Sequence, residues 1–493
     1  MFSSITGQNS TESEPVRPLR ANGESAPRLA VIGGGLAGIA AAEYAARHGF
    51  HVEIFDRSRI LGGRAASLWE PNVEAWIDNG QHILMGCCTE TLALHERMGL
   101  SDCFECRGSI PFADTNGKKW SLAAASFLPN DWQLLPAFLK MPFISFAERV
   151  KTGLTIRRMI SVNCNDWRHR SFGDWLKSEK ASKKAIDCFW APLLYGALSD
   201  SIESVSFFAA RKVLLDGFLS GRKAMSIYLP KYSLRKIYGE EAAAKLGERG
   251  VVFHPHRRVH HLRWSPDETG EPGKIESLVL KDDTELSFDY YITAIPSFAL
   301  WKLLEQSELD TYAERFAFDR FESGAITTAH LWFDRPLLPT GQKYVALLGG
   351  PAQFLFSGHR ADLEPTEHLA RTNGYYHVAV ISASHRLLSD FELTPLGATG
   401  LVKDILSQLG QTFPKPFQSG KKQNAIELLH HRVTTVYDAV FSPSPAVYDS
   451  RPPQRTPIAN FALAGDWTQT GWPATLEGAV QSGQSAVRCF IEG

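Results

Sequence analysis

A stretch near the start of this 493-residue chain constrains its fold more than any other. Residues 29–33, LAVIG, are apolar enough for a strand buried on both faces. Gly33-Gly34-Gly35-Leu36-Ala37-Gly38 follows, then a helical run, IAAAEYAARHG, that stops at Gly49. A second strand, residues 51–56, HVEIFD, ends on an acid. Strand, GxGxxG, helix, strand, acid is the unit with which a parallel α/β sheet grips a dinucleotide. Gly33 allows the tight turn, Gly35 lets backbone approach a pyrophosphate, and Gly38 lets helix pack on strand. Leu36 and Ala37 open the helix, whose unpaired N–H groups face the phosphates. Asp56, with Arg57 beside it, is placed to accept from the adenosine ribose hydroxyls. Its charge would repel a 2′-phosphate, which argues against NADP. The unit alone leaves NAD and FAD open.

Leu61-Gly62-Gly63-Arg64 comes next, with no strand returning at once to the sheet. A double glycine followed by Arg64 brings a guanidinium to the same phosphates. Residues 76–86, WIDNGQHILMG, place a polar turn, Asp78-Asn79-Gly80-Gln81-His82, between apolar flanks. It reads either as a strand-end turn with a satisfied histidine or as a loop lying against a flavin ring, and residue types alone leave both open. Near the other end, LAGDWTQTGWPATLEGAVQSGQSA (463–486) reads as a strand end, Gly465-Asp466, a Gly/Pro turn and a helix of small residues from about Ala474.

Together these motifs resemble the FAD-dependent amine oxidase and phytoene desaturase superfamily. Within it, DNGQHILMGCCTETLALHERMGL, CFWAPLLYGALSDSIESVSFFAARKVLLDGFLSGRKAMSIYLP and the C-terminal stretch are similar to the squalene-associated branch, the hydroxysqualene dehydroxylases. The likeness covers nearly all of the chain after residue 28. It implies FAD as cofactor, with Gly465 and Asp466 at the pyrophosphate and ribityl chain. Ala474, Thr475 and Leu476 would open a helix aimed at the flavin N1–C2=O edge. A helix start carries about half a positive charge, which would stabilise reduced flavin. The resemblance also puts the Val259 backbone at the adenine and ends a flavin-domain strand near Ala294. The implied fold is α/β: a Rossmann-type FAD-binding domain, an inserted α+β substrate domain, and a helical lid or membrane-facing region. The boundaries are a disordered arm at 1–27, FAD-binding parts at 28–103, 251–298 and 452–493, a helical region at 104–250, and substrate-domain sheet and helices at 299–451.

The reaction the resemblance implies is reductive removal of an allylic hydroxyl from hydroxysqualene, giving squalene. It needs a proton for the leaving hydroxyl, a hydride for carbon, and exclusion of water. His82 is the first candidate for the acid and Asp78 the second. The expected partner is a long isoprenoid, and no second nucleotide motif reveals the electron donor.

Composition narrows the rest. Fifty-two basic against 53 acidic side chains leave a net charge of -1, without the basic footprint of a nucleic-acid binder. Seven cysteines form no disulfide framework and imply reduced thiols in the cytoplasm. Cys103 and Cys106 make a lone CxxC, read as free thiols rather than a zinc site. His260-His261 and His430-His431 should point to opposite faces of strands and form no chelate. The apolar stretch from Leu29 to Ala42 is too short to span a bilayer. Residues 127–160 mix Phe, Leu and Trp with Lys140, Arg149, Lys151, Arg157 and Arg158. That segment reads either as a lid packed on the core or as an element lying in a membrane interface, which would make the protein peripheral on a membrane.

Overall fold

The computed structural model describes residues 26–492 apart from 130–131, 311, 313–315, 317–320, 359–373, 390–393, 395–396 and 418–424. Most of the expected N-terminal arm lies outside the described residues.

Five parallel strands form the sheet on which the first motif sits. Their order is Val252–His254, His51–Phe55, Arg28–Ile32, Tyr290–Thr293 and Phe461–Leu463. Leu29, Ala30, Val31 and Ile32 are buried, as a central parallel strand covered on both faces must be. The helix Leu36–Arg47 follows the glycine loop, and the C-terminal helix Leu476–Ile491 packs against it. Contact is backbone-close: a Cβ at Gly483 would lie 2.2 Å from the Ala37 carbonyl oxygen. Strands drawn from the start, middle and end of the chain thus build one nucleotide-type domain.

Beyond it lies a seven-stranded sheet in the order Leu428–Phe441, Ser323–Phe333, Tyr375–Ile381, Phe354–Ser357, Tyr344–Leu348, Ser109–Asp114 and Lys119–Ala123. The last two strands come from the stretch expected to be helical. They are joined by a tight turn in which Asp114 Oδ1 accepts from the backbone N–H groups of Asn116 and Lys118, with Gly117 at φ +75°. The strand Val252–His254 ends in a turn, and a further strand, Val259–Pro266, follows it. A bulge between Val259 and His261 turns the two histidine rings together, Nδ1 to Nδ1 at 3.2 Å, rather than to opposite faces.

Helices between residues 135 and 219 cover the seven-stranded sheet. Their core is aromatic, with Phe172, Trp175, Trp190 and Phe207 all buried and in mutual ring contact. Among the described residues, no helix is long and apolar enough to cross a membrane.

Candidate cofactor and substrate site

A partly open cavity of about 710 Å³ runs from the glycine loops into the space under the seven-stranded sheet. Its cofactor-side floor is backbone. Gly33 adopts φ +109°, and a Cβ there would meet the Ala294 carbonyl oxygen at 2.6 Å. The two glycine motifs abut: Gly62 N–H donates to the Gly34 carbonyl at 2.8 Å, and a Cβ at Gly63 would meet Gly35 Cα at 2.9 Å. A Cβ at Gly35 would meet nothing nearer than 3.9 Å, so that position opens towards the cavity. The helix Leu36–Arg47 starts there with no side-chain cap. Unpaired N–H groups beside bare backbone fit a pyrophosphate. Gly38 is not in the cavity wall. Its Cβ would sit 1.9 Å from the Gly33 carbonyl oxygen, so its part is packing.

Asp56 accepts from Gly34 N–H and Ser58 N–H, each at 2.6 Å, and still lines the cavity. A carboxylate has about four lone-pair positions, so capacity remains for two ribose hydroxyls. Arg57 and Val259 line the same end, and Ala294 the floor. Arg64 is held more tightly than its motif implied. It donates to Asp466 at 2.5 Å and to the Ala439 carbonyl at 3.0 Å. Arg64 and Asp466 therefore enter the site as an ion pair.

Gly465, Asp466, Ala474, Thr475 and Leu476 all line the cavity. The helix begins at Leu476, two residues later than expected, because Thr475 Oγ1 accepts from Gly478 N–H and makes Thr475 the N-cap. Two anchors fix this end. Buried Glu477 accepts from Glu90 N–H (3.0 Å), Thr91 N–H (2.9 Å), Thr91 Oγ1 (2.8 Å) and Gln481 Nε2 (2.8 Å). Burial raises its pKa against the lowering pull of those donors. Arg451, absent from the sequence reading, donates to the carbonyls of Asp466 (2.8 Å), Trp467 (3.4 Å), Thr468 and Trp472 and to Thr470 Oγ1 (3.2 Å). Burial lowers its pKa to about 10.

Gly80, Gln81 and His82 line the cavity, as does Asn79. Asn79 Nδ2 donates to the Arg64 carbonyl at 2.8 Å, which ties the polar turn to the second glycine motif. His82 is held below the usual histidine range by burial; nearby Asp78 pulls it back and Arg64 pushes it further down. At neutral pH its ring is therefore mostly neutral. Asp78 does not reach the cavity. Its Oδ1 accepts from Ser67 Oγ (2.6 Å) and Leu234 N–H (3.0 Å), so it fixes the turn.

The far half of the cavity is walled by Ile110, Phe112, Leu193, Phe218, Phe354 and Phe356, with others of the same character. Of the charged residues in the wall, Asp56, Arg57, Arg64, Arg257, Arg258 and Asp466 come from the nucleotide-type domain or its adjoining loops, and Lys302 from the helix Ser297–Gln306 that follows the strand Tyr290–Thr293. The seven-stranded sheet and the helices between residues 135 and 219 contribute none. Phe354 and Phe356 were not foreseen because their run, QFLFS, carries no signal beyond that of a buried strand.

A parallel sheet with this glycine cradle, an acid at the end of its second strand and a C-terminal helix start fits a flavin-binding oxidoreductase. The chain belongs to the flavin-containing amine oxidoreductase family, whose model matches residues 36–491. Its cofactor is FAD. Among curated relatives, a hydroxysqualene dehydroxylase of Zymomonas mobilis is 25% identical over 92% of this chain and 97% of its own length. A 15-cis-phytoene desaturase of Synechococcus elongatus is 24% identical over 94% of this chain and 96% of its own. Among solved structures, cyclohexylamine oxidase from Brevibacterium oxydans matches with a TM-score of 0.65 at 17% identity, over 95% of this chain and 99% of that one, and shows the same fold.

Proposed function

We propose that this FAD-dependent oxidoreductase removes the allylic hydroxyl of hydroxysqualene to give squalene. One observation carries the reading: the cofactor cradle opens directly into a chamber to whose walls the seven-stranded sheet and the helices between residues 135 and 219 bring no charged side chain. Such a chamber suits a long hydrocarbon and excludes water from the reacting carbon. When bound, reduced FAD supplies the hydride that replaces the hydroxyl, so that alcohol, hydride and proton become hydrocarbon and water. The helix start at Leu476 and the Arg64–Asp466 pair would hold the cofactor's polar parts, and the cradle around Gly35 its pyrophosphate. Arg451 keeps the 466–472 loop in place by occupying its carbonyls.

His82 is the candidate to protonate the departing oxygen. A histidine whose pKa lies below 6.5 carries its second proton in a minority of molecules at pH 7. The acid-assisted step should therefore speed up as pH falls towards that pKa. His82→Ala should lower turnover by about 10²-fold or more with FAD still bound. Unchanged turnover in that variant removes His82 from the role.

The second reading is carotenoid-type desaturation, favoured by the likeness to phytoene and zeta-carotene desaturases at 24% and 22% identity. One experiment separates the two. The bound flavin is photoreduced without oxygen, hydroxysqualene is added, and the spectrum is followed while products are extracted. Reoxidation with squalene formed supports dehydroxylation. Flavin that stays reduced, in a protein that oxidises phytoene-like polyenes, moves the assignment to desaturation.

A further inference from the structure

The helix Phe146–Ser161 is built inside out. It buries Thr152, Thr155 and Met159 and exposes Phe146, Val150 and Leu154, one stripe at four-residue spacing. Eight of the sixteen large apolar residues that the described part of the chain leaves exposed fall between residues 127 and 160. They include Phe127 at 78%, Phe146 at 64% and Leu154 at 53% exposure, values far from those of a packed lid. An apolar concentration of this kind marks an interaction surface rather than chance exposure.

Charge identifies what covers it. Between residues 127 and 161 there are five basic side chains and two acids, Asp131 and Glu148, in a chain whose net charge is -1. Glu148 is occupied by the Ser145 capping box and by Ser182 Oγ at 2.7 Å. Lys140, Lys151 and Arg157 are exposed beside the apolar stripe, and Arg158 next to them is paired with Glu179 at 2.7 Å. Arg149 reaches the Leu139 carbonyl and lies over the Phe146 ring, which brings Leu139 and Phe146 onto one surface. Apolar side chains flanked by cations match the acyl boundary and anionic headgroups of a bilayer. A helix of sixteen residues is about 24 Å long and would lie in the membrane plane rather than cross it.

We infer that the described residues between 127 and 160 form a docking surface for an anionic lipid bilayer. The segment also leads inward. Trp120 Nε1 donates to the Ala137 carbonyl at 2.8 Å, and the Trp120 ring lies 5.1 Å from that of Phe112, a wall residue of the apolar chamber. Docking thus seats the chamber close to the phase in which a long hydrocarbon dissolves. Only this last consequence rests on the proposed substrate; docking does not.

The test needs no turnover. FAD-loaded protein is mixed with vesicles of neutral phosphatidylcholine or of phosphatidylcholine with phosphatidylglycerol, spun down, and measured in pellet and supernatant. The wild type should pellet with anionic vesicles, and less so at high salt. Phe146→Ser with Leu154→Ser should weaken partitioning at least about tenfold. Lys140→Glu with Arg157→Glu should weaken it about thirtyfold, and only on anionic vesicles. Flavin spectrum and melting temperature report whether each variant is folded, and the two variants fail independently. Wild-type protein left in the supernatant with both lipids overturns the inference, as do folded variants that bind like wild type. A lipid-free dimer abolished by Phe146→Ser with Leu154→Ser would also overturn it, by giving the face to a second copy of the chain.

Discussion

Two helices, each of sixteen residues, hold their places in opposite ways. The C-terminal helix Leu476–Ile491 buries small and polar residues, among them Gly478, Ser482, Gly483 and Ala486. Its partner is the chain's own backbone, and the small residues exist so that this backbone can come close. The helix Phe146–Ser161 also has small and polar residues inside, at Thr152 and Thr155, but its large apolar residues face outward. In the first, polarity inside is matched by specific acceptors and donors. In the second, the apolar outside has no counterpart in the described chain. A small-residue interior alone therefore does not distinguish a cofactor helix from a surface one; the opposite face does.

The largest effect should come from breaking the polar anchor of the C-terminal helix. Glu477→Ala removes the acceptor of four hydrogen bonds and leaves the N–H groups of Glu90 and Thr91 without it. Each orphaned buried donor costs about 1–3 kcal/mol, so unfolding free energy should fall by about 3–5 kcal/mol. Denaturant unfolding checks this, and FAD should dissociate at lower denaturant than from wild type. Glu477→Gln, which keeps shape and an acceptor oxygen, should lose less. Equal losses would mean that charge, not acceptor capacity, is the anchor.

Next in size is a pH effect in the element that Glu477 caps. His95 lies in the helix Thr89–Arg97, buried between Phe104 and Tyr238, and burial pushes its pKa down to about 4. The unfolded chain has an ordinary histidine there, near 6.5. Between those values the unfolded state binds a proton that the folded state does not, so stability falls as pH drops through the window. The loss approaches about 3 kcal/mol at its acid end. Melting temperature measured against pH should show it, and His95→Phe should make that part of the curve shallower, the remaining loss coming from His377, which burial also pushes down to about 4. A wild-type curve without acid loss in this range would show that His95 is solvated in solution.

The difference between the two helices also explains what the sequence disclosed. Gly33, Gly35, Asp56 and Gly63 stood out because a dinucleotide cradle demands particular residue types at fixed spacing, Gly465 and Asp466 through the family resemblance, and all six line the cavity. Thr475 is of the residue type that caps helices, and its hydroxyl, accepting from Gly478 N–H, sets the helix start at Leu476 rather than Ala474. The Asn116-Gly117 pair likewise marked a hairpin within a stretch read as helical. Arg451 and Phe356 left no such trace. Arg451 matters because a loop fifteen to twenty-one residues later folds its carbonyls around the guanidinium. Phe356 matters because a sheet assembled from distant strands turns it into the chamber. Tertiary pairing creates both roles, and no local pattern encodes them.

The smallest effect belongs to the outward face of the inverted helix, and its smallness is the point. Leu154→Gln replaces an apolar side chain that is 53% exposed by a polar one of similar length and helix propensity. If water is what meets this side chain in the free protein, little buried area is lost, and unfolding free energy should change by no more than about 0.5 kcal/mol. A core leucine would cost several times as much. Denaturant unfolding without lipid makes the measurement, with Met159→Ala on the buried side of the same helix as the internal contrast, expected to cost about 2–5 kcal/mol. A large loss at Leu154 would mean that the stripe packs against protein in solution, and the helix would then be an ordinary lid. A small loss at Leu154 beside a large one at Met159 leaves the outer stripe without a stabilising role in the folded chain, so that its apolar character has to be accounted for by what it meets outside the chain.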